Sequence, residues 1–161
     1  MDEILSTYEI QLIVEDYHRL ESSSYCTLYK ELKPKHKTEN MKSNTSSYIL
    51  LAGPIDRTRV IAQIRLVGNT KVNFFLNKMG YNWNSDEECN ICNLHENENL
   101  HHFLFKCPHF SSVRNCYLKK WLSDSQCSVR NIVENPSRLD INNVYFYVQA
   151  ALKIRAFLRN E

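Results

Sequence analysis

Two cysteines separated by two residues, Cys89 and Cys92, are followed by an Asn- and Glu-rich stretch and then by His101, His102 and Cys107. Few patterns constrain a fold as tightly, because four donors gathered on one ion must converge from different parts of the chain. A Cys-x2-Cys pair can aim two thiolates at one ion, and a later His and Cys complete the tetrahedron of a closed site. The donor types point to Zn2+, and a set of four protein ligands points to a structural ion rather than a catalytic one. Three histidines compete for the third position: His95, His101 and His102. A helix over this stretch would put Leu100, Phe103, Leu104 and Cys107 on one face and leave His101 and His102 at its sides, so periodicity does not choose between them.

The remaining cysteines, Cys26, Cys116 and Cys127, have no evident partners and read as small buried or half-buried hydrophobes. The N-terminal Met1-Asp2-Glu3 lacks a basic leader, and apolar runs such as Tyr48 to Ala52 are far shorter than a membrane span. A soluble intracellular protein, cytoplasmic or nuclear, with thiols free or metal-bound is therefore expected. With 43% hydrophobic residues and only 3 glycines in 161, the chain is expected to be mainly α: a small helical domain with an embedded Cys-Cys-His-Cys loop-helix. Its net charge of +2 is too small for bulk electrostatics to imply nucleic-acid binding, so such a role must come from local patches.

Three regions are expected along the chain: an N-terminal helical segment over 1–32, a polar linker over 33–47, and a helical zinc-binding domain over 48–161 with its zinc module at about 86–110. Leu5, Tyr8, Leu12, Ile13, Tyr17 and Leu20 recur at helical spacing in the first, with a break expected at Ser22 to Ser24. Pro34 and the Lys-, Ser- and Asn-rich run after it mark the second. In the third, Asp56 is placed to cap a helix with Val60, Ile61, Ile64 and Val67 inward and Arg57, Gln63 and Arg65 outward. Thr70 would cap a second helix carrying Val72, Phe75, Leu76 and Met79, stopped by Gly80. Asn82 to Asn99 reads as loop, Leu100 to Lys106 as a short helix capped by Asn99, and Phe110, Val113, Tyr117 and Trp121 as one face of another, with Arg114, Lys119 and Lys120 off that face. After the break at Asn135-Pro136-Ser137, Asp140 to about Arg159 reads as a long amphipathic helix with Val144, Val148, Ala151, Leu152 and Leu158 on its inner side.

The order of these short motifs resembles the zinc-binding segment near the C-terminus of non-LTR (LINE-type) retrotransposon polyproteins, downstream of the reverse transcriptase domain. Glu98-Asn99-Leu100-His101-His102 is similar to that family's Glu-Thr-x-x-His, and Cys107-Pro108-His109-Phe110 with Arg114 to its Cys-Pro-x-Phe-x-x-x-Arg. Arg65-Leu66-Val67-Gly68 and the stretch reaching Met79-Gly80 resemble its Arg-Leu-x-x-Gly and Leu-x-x-x-Gly elements. The resemblance implies Cys89, Cys92, His102 and Cys107 as the ligands. Asn93 replaces the family's glycine, a change that Asn's tolerance of left-handed backbone would absorb. The resemblance further implies a module that helps grip RNA or DNA during reverse transcription, with a reverse transcriptase domain as a candidate partner, no membrane and no small-molecule substrate. Candidate contacts are Arg57, Arg65, Lys71, Lys106, Arg114, Lys119 and Lys120, with Arg59 and Lys78 nearby and Tyr81, Trp83 and Tyr117 as possible stacking groups. No Tyr-x-Asp-Asp polymerase motif and no oxyanion-hole sequence occur, so an enzyme is not expected. The other reading is a zinc-stapled structural or protein-interaction module without affinity for nucleic acid.

Overall fold

The computed structural model describes residues 18, 21–22, 27–32, 51, 53–123 and 127–159. Helices dominate: α1 (Thr27–Leu32), α2 (Ile55–Leu66), α3 (Ser111–Tyr117), α4 (Val129–Val133) and α5 (Arg138–Arg159), joined to one antiparallel hairpin of β1 (Lys71–Leu76) and β2 (Met79–Asn84). Short 3-10 turns at Pro108–Phe110 and Lys119–Trp121 flank α3. The linker expected over 33–47 lies outside the described residues, as does most of the first region. Within that first region, Leu28 and Leu32 of α1 pack against the same core as the rest.

The long α5 is the spine, with α2 and α3 packed on it. Ser137 and Asp140 open it as a capping box: the Asp140 backbone N–H donates to the Ser137 hydroxyl, and the Ser137 N–H donates to the Asp140 carboxylate. Its buried residues, Asp140, Ile141, Val144, Tyr147, Val148, Ala151, Leu152 and Arg155, follow the three- and four-residue steps of a helix face. Leu158, expected inward, is exposed. Helix α2 buries Val60, Ile61 and Ile64. Pro54 rather than Asp56 occupies its N-cap, and Asp56 lies in the first turn.

The expected helix from Thr70 to Gly80 is the hairpin instead. Both readings use the same residues, and the difference lies in which phenylalanine goes inward. A helical face would bury Phe75 and Met79; the strand alternation buries Val72, Phe74 and Leu76 and leaves Phe75 and Met79 about half exposed. Asn77 and Lys78 both take positive φ, 50° and 67°, in a two-residue connection of the primed kind whose twist suits a hairpin. Gly80 therefore sits within β2, opposite Phe75, and caps nothing.

Around Phe103, which is fully buried, rings from three parts of the fold converge: Trp83 at 5.3 Å, Phe110 at 5.3 Å, Phe74 at 5.9 Å and Tyr147 at 5.9 Å between centroids. The Tyr147 hydroxyl donates to the Phe103 carbonyl. The hairpin, the turn after Cys107 and α5 thus meet on the residue that follows His102.

Three arginines are internal. Arg65, expected to face outward, is buried and donates to the carbonyls of Val133 (Nε, 3.0 Å) and Glu134 (Nη2, 3.0 Å), holding α4 to α2. Arg114, expected off the packed face, is buried and donates to the carbonyls of Leu104 (2.8 Å) and Cys107 (2.7 Å). Arg155 of α5 is buried against Glu98. Cys127 is half-buried against the core, whereas Cys116, expected at least half-buried, is exposed; Cys26 lies outside the described residues.

The hairpin makes adjacent phenylalanines opposite in character. Phe74→Ala is expected to cost about 3 to 5 kcal/mol, and Phe75→Ala less than about 1 kcal/mol, by denaturant unfolding. Equal costs, or the reverse order, would favour the helical alternative.

Candidate metal centre

The loop from Ser85 to Asn99 closes on itself before any metal is considered. Glu88 and Asn97 form an isolated antiparallel bridge, the Cys89 N–H donates to the Glu96 carbonyl at 2.9 Å, and the Glu98 N–H donates to the Glu87 carbonyl at 2.8 Å. His95, with φ of 53°, makes the left-handed residue that lets the chain reverse. Asn93, expected in that role, does not have positive φ.

Asn99 then starts the turn that carries the next two donors, its side-chain oxygen accepting the His102 N–H at 2.8 Å. In a regular α-helix, His102 and Cys107 would stand ~140° apart around the axis, at 3.6 residues per turn. The turn over His102–Lys106 is widened to π geometry, with the Cys107 N–H donating to the His102 carbonyl at 2.9 Å. A ring closed five residues back returns the fifth residue toward the first. The sequence reading placed a helix here but had no signal for the wider turn.

The result is one buried cluster. Cys89 Sγ, Cys92 Sγ, a ring nitrogen of His102 and Cys107 Sγ all lie within 4.8 Å of one another. Cys92 Sγ stands 3.5 Å from His102 Nε2. These are the four residues expected as ligands, and together they could hold a metal ion. The other two histidines are engaged elsewhere: His101 packs on the Phe105 ring at 5.3 Å, and His95 is exposed and pairs with Glu88.

The opposite side of the His102 ring is held too. Its Nδ1 lies 3.3 Å from Glu96 Oε2, and Glu96 Oε1 accepts from Lys106 Nζ at 3.0 Å. An Nδ1–H donating to that carboxylate leaves the Nε2 lone pair facing the three sulfurs, the arrangement by which carboxylates orient metal-binding imidazoles. Hydrogen bonds from Lys106 and from His102 hold the Glu96 carboxyl below its usual range.

Burial works the other way on the thiols. It pushes Cys107 up to about 12 and also raises Cys89, although backbone N–H groups two residues on, from His109 and Ile91, partly offset it. Without a cation Cys89 and Cys107 therefore keep their protons at neutral pH, and a metal ion must displace them.

One contact ties this loop to the far end of the chain. Glu98 accepts two hydrogen bonds from Arg155, Nε to Oε1 at 2.8 Å and Nη2 to Oε2 at 3.1 Å, and both side chains are buried. The guanidinium also lies over the Trp83 ring at 4.5 Å, while Trp83 Nε1 donates to the Glu98 carbonyl at 2.6 Å. Trp83, expected as a surface stacking group, is thus a core residue. Arg155 was absent from the sequence reading, although a lone arginine on the apolar face of α5 was the available signal.

The candidate nucleic-acid contacts do not form one patch. Arg65 and Arg114 are spent on internal carbonyls. Lys106 pairs with Glu96 and Lys120 with Asp140. Arg57 donates to Asn142 Oδ1 at 2.8 Å and lies over the Phe146 ring at 5.1 Å. Lys71 and Lys119 are exposed.

Removing one member of a buried ion pair leaves the other charge stranded. Arg155→Met alone is expected to destabilise by about 3 to 5 kcal/mol, and adding Glu98→Leu should recover much of it, because an apolar replacement of the pair leaves no orphan charge. Chemical denaturation of the two single variants and the double variant checks this; simple additivity would show that the pair does not act as a unit. Comparison of the chain with known protein families, with curated proteins and with solved structures returns no match.

Proposed function

We propose that this chain is a non-catalytic zinc-binding module in which Cys89, Cys92, His102 and Cys107 hold one structural Zn2+. The single observation that carries this reading is the convergence of three sulfurs and one imidazole nitrogen in a buried place. Donors at Zn–S and Zn–N bond lengths on a tetrahedron would stand ~3.6 Å apart along a Cys-His edge, and Cys92 Sγ and His102 Nε2 are separated by 3.5 Å. Three thiolates favour zinc over the oxygen-seeking divalent ions. Four protein donors also complete the coordination sphere without an open position for substrate or water, which argues for a staple rather than an active site.

The order of motifs supports a narrower version: an accessory module of a LINE-type retroelement protein that helps hold RNA or DNA near a reverse transcriptase domain. Arg65, Cys107-Pro108, Phe110 and Arg114, which carry the resemblance, each have a structural task in the fold. Such tasks would keep their spacing in any chain built this way. The rival reading, a staple for a protein-docking domain, draws on the dispersed basic residues and on exposed Leu66, Leu139 and Phe157.

Elemental analysis of the purified chain should find one zinc per molecule. Uptake by the metal-free chain at neutral pH should release protons, and apparent affinity should climb with pH, because the raised thiols compete for the same electron pairs. His102→Ala should weaken zinc retention in a chelator competition far more than His101→Ala. Zinc-free protein with an intact fold would overturn the proposal, and the reverse order of the histidine variants would move the ligand.

A further inference from the structure

We infer that the outer face of the hairpin, centred on Phe75, is a stacking site for single-stranded nucleic acid. This deepens the proposed nucleic-acid role and rests on it for the class of ligand, while placing the contact away from the zinc cluster and from most of the basic residues singled out by sequence.

The register settles which side chains face outward. The pairs Val72 with Trp83 and Phe74 with Tyr81 belong to the inner side, and the alternating pairs Lys71 with Asn84, Asn73 with Asn82 and Phe75 with Gly80 to the outer side. Phe75 sits at the turn end of this face, about half exposed, and so large an apolar ring is costly to leave in water unless something covers it. Here the cross-strand neighbour is a glycine, and a Cβ built at Gly80 would meet nothing within 4 Å. The space beside the ring is therefore open, as a flat ligand requires.

Depressions lie on both sides of Phe75. One, of about 380 Å³, is lined in part by Gln63, Leu66, Asn73, Phe75, Gly80 and Asn82. The other, of about 560 Å³, includes Arg59, Phe75, Lys78 and Tyr145. In the first, Gln63 donates from Nε2 to the Phe75 carbonyl at 3.2 Å, while its Oε1 is buried with no hydrogen-bond partner among the described residues. The exposed Asn73 and Asn82 amides offer both donors and acceptors to base edges.

Charge favours a polyanion over an apolar peptide. Among the described residues, neither Lys71 nor Lys78 has an ion-pair partner, and no carboxylate belongs to the outer pairs. Asp56, which lines the second depression, is engaged by Arg59 at 3.6 Å, and Glu87 at the far end accepts from Asn84. An aromatic ring flanked by amides and exposed lysines suits unstacked bases followed by their phosphates. A duplex hides the base faces that such a ring would need.

The test uses the full, zinc-loaded chain and fluorescence anisotropy with labelled oligouridylate, oligothymidylate and a duplex of equal length, over a salt series. Single strands should bind better than duplex, the two single-strand arms showing whether RNA or DNA is preferred. Phe75→Ala should weaken binding by about tenfold or more, and Phe75→Tyr should stay within about twofold of the parent. Lys71→Ala and Lys78→Ala should each flatten the logarithmic salt slope by roughly 0.7. Zinc content and melting temperature, read on every variant, separate the two levels. Intact zinc and fold with no strand binding, preference for duplex, or binding indifferent to Phe75→Ala would each overturn this surface and leave the zinc reading standing. Absence of zinc would overturn the zinc reading, and Phe75-dependent strand binding would then still uphold the surface.

Discussion

Between Cys92 and Leu100 the only large apolar side chain is Leu94, and it is exposed. This stretch cannot hold its shape by burying hydrocarbon, so everything that depends on its geometry depends on polar contacts and on the meeting of four donors. The Glu88–Asn97 bridge and the hydrogen bonds of Cys89 and Glu98 shape the loop locally. The Glu98–Arg155 pair then fixes it to α5, and the convergence of Cys89, Cys92, His102 and Cys107 fixes it to the widened turn. Because Phe103 follows His102 and touches Trp83, Phe74, Phe110 and Tyr147, a displacement at the cluster would be felt in the hairpin and in α5.

Charged residues serve the interior of this fold to an unusual degree. Arg65, Arg114 and Arg155 reach buried carbonyl or carboxylate oxygens, as the planar, many-donor guanidinium is suited to do. Arg114 deserves particular weight in the zinc reading, since its two acceptors, the carbonyls of Leu104 and Cys107, terminate the turn that presents the last sulfur. Arg65 and Arg114, counted from sequence as part of a nucleic-acid surface, are internal ties, the first between α2 and the end of α4 and the second from α3 to the turn before it. Other basic residues stay accessible: Lys71 and Lys78 on the hairpin, Lys119 and Lys120 after α3, and Lys153 on α5.

The grouping of the metal-binding candidates was legible because spacing and donor type are local properties of the chain. The faces of α2 and α5 were legible for the same reason: Val60, Ile61 and Ile64, and Val144, Val148, Ala151 and Leu152, recur at helical steps long enough to be distinctive. The hairpin was not, because Val72-Asn73-Phe74-Phe75-Leu76 satisfies both a strand and a helix pattern over so short a run, and the choice rests on tertiary burial of Phe74 against Trp83 and Phe103. Asn77-Lys78 carries no glycine to announce the turn. Arg65, Arg114 and Arg155 were misplaced or missed because burial of a charge depends on partners distant in sequence, such as Glu98, 57 residues from Arg155. The π turn had no sequence signal at all, since it follows from where His102 and Cys107 must meet.

The central claim is that one bound ion organises the loop, the turn and their attachment to α5. Amide hydrogen exchange of the zinc-loaded chain, before and after complete removal of the metal, tests it most directly. Loss of protection should begin in 85–107 and extend to the amides of β2 and to α5 around Tyr147 and Arg155, with a lowered melting temperature. Unchanged exchange and melting after verified metal removal would contradict the account.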